Sequence, residues 1–377
     1  MHTDHFIDPV ITFFTRSRCV LNRERVYRTL TTLDVFVDRT LCLVSKSETL
    51  SGFHYNRDLL KSAMANTYLE TVGSRADSIH MAIKSVPMPY VYTEYIRSVG
   101  IFGPRTGFAE HDAVLAFDHT DEDFYGKLEG TWIHTWTGDH AVTGKFRFLT
   151  CSLVSSDIPQ RVPLLSIPVH IGYSIARDVS FCLELVRPLF KSIRLCLFDR
   201  GFYSNELMIA LDSMNVPYLI FVPKNDAVKK ALSPMRSGDM MTVEHEFSLN
   251  RDKTVIRSST TYALLRQIYA KRLKMCLDWC FATNQQEIDL DNIVQTYRER
   301  WNIETGFRIQ DEATIKSKSK DVRIRFFLFA YEQFLQLLWS VLFREEVSFK
   351  GFVIEMSEMA SHRLERSEEK KHSGTAQ

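Results

Sequence analysis

The sequence has almost no surplus of charge of either sign. Its 47 lysine and arginine residues are matched by 46 aspartate and glutamate residues, which leaves a formal net charge of +1. A protein that binds nucleic acid through its overall charge carries a clear basic excess. Any DNA-binding surface on this chain must therefore be local.

Paired cysteines and long uncharged apolar runs are also lacking. The seven cysteines are odd in number and scattered, which is typical of a reducing compartment such as the cytoplasm. Cys276 and Cys280 lie close together, but no second pair at zinc-finger spacing accompanies them, so we expect buried thiols. The longest apolar segment, residues 326–343, contains a glutamate and two glutamines. It predicts a buried packing helix rather than a membrane span.

The composition is otherwise that of a globular protein, and its pattern changes along the chain. Hydrophobic residues make up 45% of the 377 residues, enough to bury a sizeable core. Residues 1–105 are predicted to be mainly helical, with helices at 57–68 and 76–86 around a turn at Gly73 and Ser74. This pattern is compatible with a DNA-binding helix-turn-helix, although any two helices can be joined in this way.

Short apolar runs alternate with polar turns in the next part of the chain. Helices are predicted at residues 174–190 and 205–214, and strands at 113–117, 131–137, 146–154, 162–171, 193–198 and 217–222. Antiparallel strands followed by a strand–helix–strand crossover indicate an α/β fold with a mixed sheet and flanking helices.

Residues 223–287 break this alternation. The part from 223 to 275 holds 11 lysines and arginines against five acids, with strand-like pieces, so we predict a basic, β-rich insertion. Residues 106–222 and 288–345, helical from residue 288, are assigned to one catalytic domain. Residues 346–377 are assigned to a C-terminal tail, of which the charged and polar stretch from Ser357 is expected to fray.

Two aspartates each follow an apolar run that is predicted to be a strand. Asp118 follows residues 113–117, and Asp199 follows residues 193–198. Open α/β sheets place ligands at the carboxyl ends of strands, and two acids meeting there repel unless a hard cation such as Mg²⁺ lies between them. For either aspartate alone, a strand-ending turn or a helix cap is the simpler explanation. Three more acids leave the first position open by a few residues: Asp121, Glu122 and Asp123.

A third acid is offered by the helix predicted after residue 288. At about 100° per residue, Glu304 shares one helix face with Tyr297, Arg300 and Arg308, whereas Glu299 points away. Such a set of side chains is an unusual choice for a core face. The alternative is a solvated face of ion pairs.

This helix resembles the signature helix of the DDE transposases of bacterial and archaeal insertion sequences, in the subgroup with a Tyr-Arg-Glu-Lys signature. Tyr297, Arg300 and Glu304 match the spacing of Tyr, two residues, Arg, three residues, Glu. Residues 198–203 (FDRGFY) and 117–120 (FDHT) resemble the segments that carry the second and first aspartates of the family. The three motifs occur in the order found in the family.

The resemblance implies a ribonuclease-H-like catalytic domain and DNA transposition, with strand cleavage and strand transfer at insertion-sequence ends. It implies Asp118, Asp199 and Glu304 as catalytic residues and as ligands of two Mg²⁺ ions, for which Mn²⁺ can substitute. The implied partners are double-stranded DNA, as transposon ends and target, and a second copy of the chain in an active homodimer. We expect no membrane partner, and the expected location is the cytoplasm, at the nucleoid.

The resemblance also implies that Tyr297 and Arg300 approach DNA near the transposon end. One position departs from the signature, because its lysine would fall at Asp311, which cannot contact a phosphate. Arg308 lies one turn beyond the glutamate and could replace that lysine. Three further lysines could add phosphate contacts or form an ordinary solvated face: Lys316, Lys318 and Lys320.

Other interpretations of the sequence stay open. Trp279 and Trp301 are candidates for stacking on an unpaired base, although core packing is the simpler explanation. A metal-dependent nuclease of the same fold would cut DNA without strand transfer. A non-catalytic DNA-binding protein derived from a transposase would be compatible with Asp311.

Overall fold

The computed structural model describes residues 21–41, 51–72, 75–138, 141–155, 162–251, 254–270 and 274–374. Within these ranges the helices are α1 (Arg23–Thr40), α2 (Ser51–Ala65), α3 (Leu69–Val72), α4 (Ala76–Lys84), α5 (Met88–Thr106), α6 (Ile175–Val186), α7 (Asn205–Ser213), α8 (Asp226–Leu232), α9 (Ile293–Arg298), α10 (Trp301–Gln310), α11 (Val322–Leu342) and α12 (Phe349–Gly374). The strands are β1 (Asp112–Phe124), β2 (Ile133–Thr135), β3 (Gly144–Leu153), β4 (Val162–Pro168), β5 (Ser192–Phe198), β6 (Tyr218–Phe221), β7 (Met240–Arg251), β8 (Thr254–Ala270) and β9 (Met275–Thr283).

One mixed sheet joins all nine strands of the described residues. Its order is β2-β3-β1-β5-β6-β9-β8-β7, with β4 pairing β3 beside β2. Strands β1, β5 and β6 are parallel to one another, and the other neighbours are antiparallel. The predicted mixed α/β sheet with flanking helices is therefore confirmed.

The two faces of this sheet bury separate cores because side chains alternate along each strand. In β1, Leu115 and Phe117 belong to the larger core, which lies beneath most of the helices. Val114 and Ala116 point to the smaller core on the opposite face. That smaller core is completed by Tyr297 of α9 and by residues of β5, β6, β8, β9 and α10. The helix with the acidic motif thus covers the face opposite most of the other helices.

The basic segment is β-rich, as predicted, but its strands are part of the central sheet. Strand β9 pairs antiparallel with β6, with Ile220 opposite Ala282, and β8 and β7 continue the sheet outward. The short helix α8 precedes them and was not predicted. The division of the chain into domains stays a prediction.

Several sequence-based boundaries need correction. Strand β1 continues past Asp118 to Phe124, because its pairing with β3 extends beyond its pairing with β5. The helix predicted from residue 288 starts at Ile293 and breaks after Arg298. Of the two neighbouring thiols, Cys280 is buried as expected but Cys276 is exposed.

The predicted helices of the N-terminal region are present. Helices α2 and α4 bury Leu59, Leu60 and Ile79 in the larger core. The predicted turn at Gly73 and Ser74 lies outside the described residues, as do residues 1–20, and the helix-turn-helix stays a prediction. None of the helices in the described ranges is long and apolar enough to cross a membrane. The apolar helix α11 is a buried packing helix, as expected.

The predicted C-terminal tail is in fact a docked helix. Helix α12 buries Phe352 and Met356 completely. Its Arg363 pairs with Asp34 of α1 at 2.7 Å. Lys350 Nζ donates to the carbonyl oxygen of Met64, at the end of α2, at 2.6 Å. Apolar contacts and ion pairs together hold the segment in place.

This docking can be tested by truncating a buried side chain of α12. Phe352→Ala should lower the free energy of unfolding by about 3–5 kcal/mol, since Phe352 is fully buried. The matched control is Ile354→Ala on the exposed side of the same helix, which should change stability by less than about 0.5 kcal/mol. Chemical denaturation measures both. Equal, small effects would show that α12 is the fraying tail that its charges suggested.

Candidate active site

The parallel pairing of β1 and β5 brings two aspartates side by side. Phe117 is the register partner of Phe198, and their rings stack with centroids 5.1 Å apart. The residue that follows each of these phenylalanines is an aspartate, and neighbouring strands lie about 4.8 Å apart. Because both phenylalanines point to the larger core, Asp118 and Asp199 point to the opposite face. The two predicted acids therefore meet beneath α9 and α10.

The third acid reaches this place from α10. Ile303 is buried in the smaller core, which fixes α10 against the sheet. Glu304 follows it directly, with 43% of its side chain exposed. Tyr297 is buried against Phe221 and Phe281, so this is not the solvated face of ion pairs that the sequence left open.

Arg300 joins two of the three acids. Its Nη1 donates to Asp118 Oδ2 at 2.9 Å, and its Nη2 donates to Glu304 Oε1 at 2.6 Å. Arg300 is only 7% exposed. The guanidinium therefore lies between the first and third acids as a buried counter-ion.

The site is electrostatically crowded. The pKa of Asp118 is raised to about 6, chiefly by burial; Arg300 opposes this rise, and the charges of Asp199 and Glu304 add to it. Burial likewise raises the pKa of Tyr297 to about 12. Burial lowers the pKa of Arg300, but Tyr297, Asp118 and Glu304 together outweigh that effect and raise it. The acids therefore interact as one group.

Asp199 is oriented by the turn that follows it. Its Oδ1 accepts a hydrogen bond from the backbone N–H of Gly201 at 2.8 Å. A Cβ at position 201 would lie only 3.1 Å from that oxygen, so the close approach favours glycine. Phe202, in the same turn, stacks on His119 with ring centroids 4.7 Å apart. These contacts connect the segments that follow the two aspartates.

The three neighbouring acids of β1 have cationic partners of their own. Asp121 pairs with Arg147 at 2.8 Å, Glu122 with Arg325 at 3.2 Å, and Asp123 with Lys145 at 3.7 Å. Asp118 is thus the acid of this strand that faces Asp199 and Glu304.

The residues fit a divalent cation by their chemistry but not yet by their arrangement. Three carboxylates at one place are the oxygen ligands that Mg²⁺ and Mn²⁺ prefer. Within the described residues, however, no three His, Cys, Asp or Glu side chains are grouped so that they could hold a metal ion as they stand. The guanidinium of Arg300 between Asp118 and Glu304 explains the difference.

A cavity of about 420 Å³ opens beside the acids. It is lined by charged and aromatic side chains: Asp199, Arg200, Phe221, Leu277, Asp278, Trp279, Tyr297, Arg300 and Trp301. The two tryptophans singled out in the sequence therefore lie at one cavity, next to the second aspartate. Trp279 also packs on Phe221 and Phe281, as the core-packing alternative expects.

The other predicted DNA contacts lie on the surface. Arg308, Lys316 and Lys318 are exposed, and Lys318 lies over the ring of Tyr68 at 4.9 Å. Asp311, at the position of the signature lysine, is exposed in a short turn after α10. Their contacts with DNA stay predictions.

Sequence reasoning missed the main contact of Arg300. Its pairing with Glu304 four residues later is a helical spacing that the sequence displays. Its pairing with Asp118 spans 182 residues of chain and left no local signal. Arg200 and Asp278, which line the cavity, were not predicted either.

Part of the chain is similar to a known protein family. Residues 167–331 match the family model of the transposase DDE domain. This range covers less than half of the chain, and over it the chain is similar to a DDE transposase domain. The matched range includes Asp199 and Glu304 but begins after Asp118. This match supports DNA transposition as the function, and DNA strand cleavage and transfer as the activity. Members of the family generally use divalent metal ions.

The fold also resembles a solved structure, described as "Cryo-EM structure of piggyBac transposase synaptic complex with hairpin DNA (SNHP)". The TM-score is 0.50 and the sequence identity 13%, over 94% of this chain and 77% of that chain. At this identity the likeness shows the fold alone. A search of curated proteins gave no match. The mixed sheet with flanking helices is thus similar to the fold of a transposase.

The raised pKa of Asp118 predicts a pH-dependent difference between two proteins. An acid whose folded pKa lies above its unfolded value of 3.8 costs stability once it ionises, and the cost is complete above about pH 6. In metal-free buffer, wild type should therefore lose up to about 3 kcal/mol relative to Asp118→Asn between about pH 4 and pH 7. Denaturation at several pH values measures this difference.

The control for the change in net charge is Asp123→Asn, which alters an exposed acid of the same strand. A difference between wild type and Asp118→Asn that stayed constant with pH would contradict a raised pKa at Asp118.

Proposed function

We propose that this protein is a DNA transposase of the insertion-sequence type, in the subgroup with the Tyr-Arg-Glu-Lys signature, and that Asp118, Asp199 and Glu304 are its catalytic residues. The observation that carries the proposal is the meeting of these acids on one face of the sheet. Asp118 and Asp199 directly follow the last paired residues of β1 and β5, and the charge of Glu304 acts on Asp118. The match to the transposase DDE domain supports the same reaction.

The three carboxylates are proposed to hold two Mg²⁺ ions, with Mn²⁺ as a substitute. Such ions, when bound, activate the attacking oxygen and stabilise the leaving oxygen during displacement at phosphorus. Carboxylates suit this site because they neutralise and space cations. Gly201 holds Asp199 in place through its backbone N–H. Asp118 must be ionised to bind a cation, so its raised pKa favours neutral over acidic solutions.

The proposed substrate is double-stranded DNA, as transposon ends and as target. The exposed cations Arg308, Lys316 and Lys318 can contact its phosphates. The similar solved structure is described as a synaptic complex with hairpin DNA, which supports DNA as the partner. Joining two ends requires at least two protomers, so a homodimer in the active complex is part of the proposal, as is a location at the nucleoid.

The cavity beside the acids suits an unpaired nucleotide. Trp301 and Trp279 offer aromatic faces on which a base can stack. Arg200 and Arg300 line the same cavity and can attract a phosphate. We therefore assign this cavity to a nucleotide extruded from the DNA next to the cleavage site.

Replacing the third acid should abolish catalysis and spare DNA binding. Glu304→Gln should lower Mn²⁺-dependent cleavage of a duplex that carries the DNA flanking the gene by at least about 100-fold. Even residues one contact removed from a metal cost 10–100-fold. The matched control is Glu299→Gln on the preceding turn, which should retain cleavage. Gel assays of cleavage and binding measure both properties.

Wild type and Glu304→Gln that were equally inert while both bound DNA would contradict the catalytic assignment and favour the non-catalytic DNA-binding protein. Cleavage without any joined product would favour the nuclease.

A second prediction concerns the nucleotide in the cavity. Trp301→Ala should weaken binding of a duplex with one unpaired nucleotide by about 1–3 kcal/mol, because one stacking surface is lost. Trp301→Phe is the matched control and should restore most of the affinity. Titration with a fluorescent base analogue at the unpaired position measures both. Equal affinities for wild type and Trp301→Ala would contradict the assignment of an unpaired base to this cavity.

A further inference from the structure

The guanidinium of Arg300 is held mainly by the acids that it separates. It donates to Asp118 Oδ2 at 2.9 Å and to Glu304 Oε1 at 2.6 Å. Its Nε is buried without a hydrogen-bond partner among the described residues. A buried donor that stays unsatisfied costs free energy. The side chain therefore lies between two acids while its Nε donor stays unsatisfied.

The backbone that carries Arg300 is a junction between two helices. Helix α9 ends at Arg298 and α10 begins at Trp301. The N–H of Arg300 donates to the carbonyl of Tyr297 at 3.1 Å, and the N–H of Ile303 donates to the carbonyl of Arg300 at 3.0 Å. These bonds span three residues, as in a 3₁₀-helix, and such a stretch within a helix often marks a hinge. Arg300 thus lies where the winding can change while α9 and α10 stay packed.

A second site for the guanidinium lies next to the first. Arg300 lines the cavity beside the acids together with Arg200 and Trp301. A DNA phosphate at this cavity would offer two oxygens in the geometry that a guanidinium binds best. Arg300 could then exchange carboxylate partners for a phosphate. Asp118 and Glu304 would be left without their counter-ion, which is costly above all for Asp118, whose side chain is only 17% exposed.

We propose that Arg300 is an internal counter-ion that closes the acid site in the absence of DNA, and that a DNA phosphate draws it away so that a divalent cation can bind. This inference rests on the proposed function, since it assumes that the three acids hold the cation. DNA and the cation then bind cooperatively. By thermodynamic linkage, each increases the affinity for the other by the same factor.

The opposite role for Arg300 makes the opposite prediction. If Arg300 were a fixed support that holds the acids in position for the cation, its removal would weaken cation binding. If it is a competing counter-ion, its removal strengthens cation binding when DNA is absent. The sign of the change separates the two roles.

The test is a titration of the full chain with Mn²⁺ in the absence of DNA, read from the electron paramagnetic resonance signal of free Mn²⁺. Arg300→Gln should bind Mn²⁺ about tenfold more tightly than wild type, in the usual range of coupling between sites. Arg28→Gln, which removes an exposed arginine of α1, is the control and should bind as wild type does. Equal or weaker binding by Arg300→Gln would overturn the inference. Thermal melts check folding, and Arg300→Met, which keeps an unbranched side chain but has no charge and no donor, replaces the glutamine variant should that one unfold.

Asp199→Asn separates this inference from the proposed function. If Asp199→Asn abolishes Mn²⁺ binding but Arg300→Gln does not strengthen it, the acid site stands and the counter-ion role falls. If Asp199→Asn leaves Mn²⁺ binding intact in the wild-type and Arg300→Gln backgrounds, the acid site itself is wrong. In the supporting case, Mn²⁺ should increase the affinity of wild type for a short duplex, and Arg300→Gln should lose this increase.

Discussion

The parallel pairing of β1 with β5 is the constraint on which the site depends. It places Phe117 beside Phe198 in the larger core. Because side chains alternate along a strand, the residue that follows each phenylalanine points to the opposite face. Two acids are thereby held together by apolar packing on the other side of the sheet. A shift of either strand by one residue would turn its aspartate into the larger core.

Placing like charges close together is unfavourable, and nearby cations compensate for it. Arg300 compensates Asp118 and Glu304, while the pKa of Asp118 stays raised to about 6 because burial outweighs that help. The acids of the same strand that are not part of the site have separate cationic partners, such as Arg147 for Asp121. Arg300 is thus shared by two acids, whereas each of these other acids has a cation of its own.

Much of this architecture could be predicted from local patterns, and the failures have physical reasons. Apolar runs located most strands of the central sheet, and the spacing of Arg300 and Glu304 indicated a shared helix face. The extension of β1 beyond Asp118 was missed because residues 118–124 are mostly acidic. Cross-strand partners on β3, Arg147 and Lys145, override that local preference.

The C-terminal helix has an apolar pattern in its sequence that predicts a packed helix, but its many charges suggested a tail instead. Its buried residues recur at helical spacing: Phe349, Phe352, Val353, Met356, Ala360 and Leu364. The many charges of the segment suggested a tail, yet they lie largely around an apolar stripe that docks on the N-terminal helices. The contact between Arg300 and Asp118 had no such signal, because only the folded chain brings the two together.

The most direct test of the central claim, that Asp118, Asp199 and Glu304 form one cation site, is a crystal structure with DNA and Mn²⁺, in which anomalous scattering locates the metal. The account predicts Mn²⁺ at about 2.1 Å from oxygens of all three acids, the distance typical of small divalent ions, with Arg300 turned to a phosphate. Mn²⁺ bound elsewhere, or Arg300 still bridging Asp118 and Glu304 in the DNA complex, would contradict it.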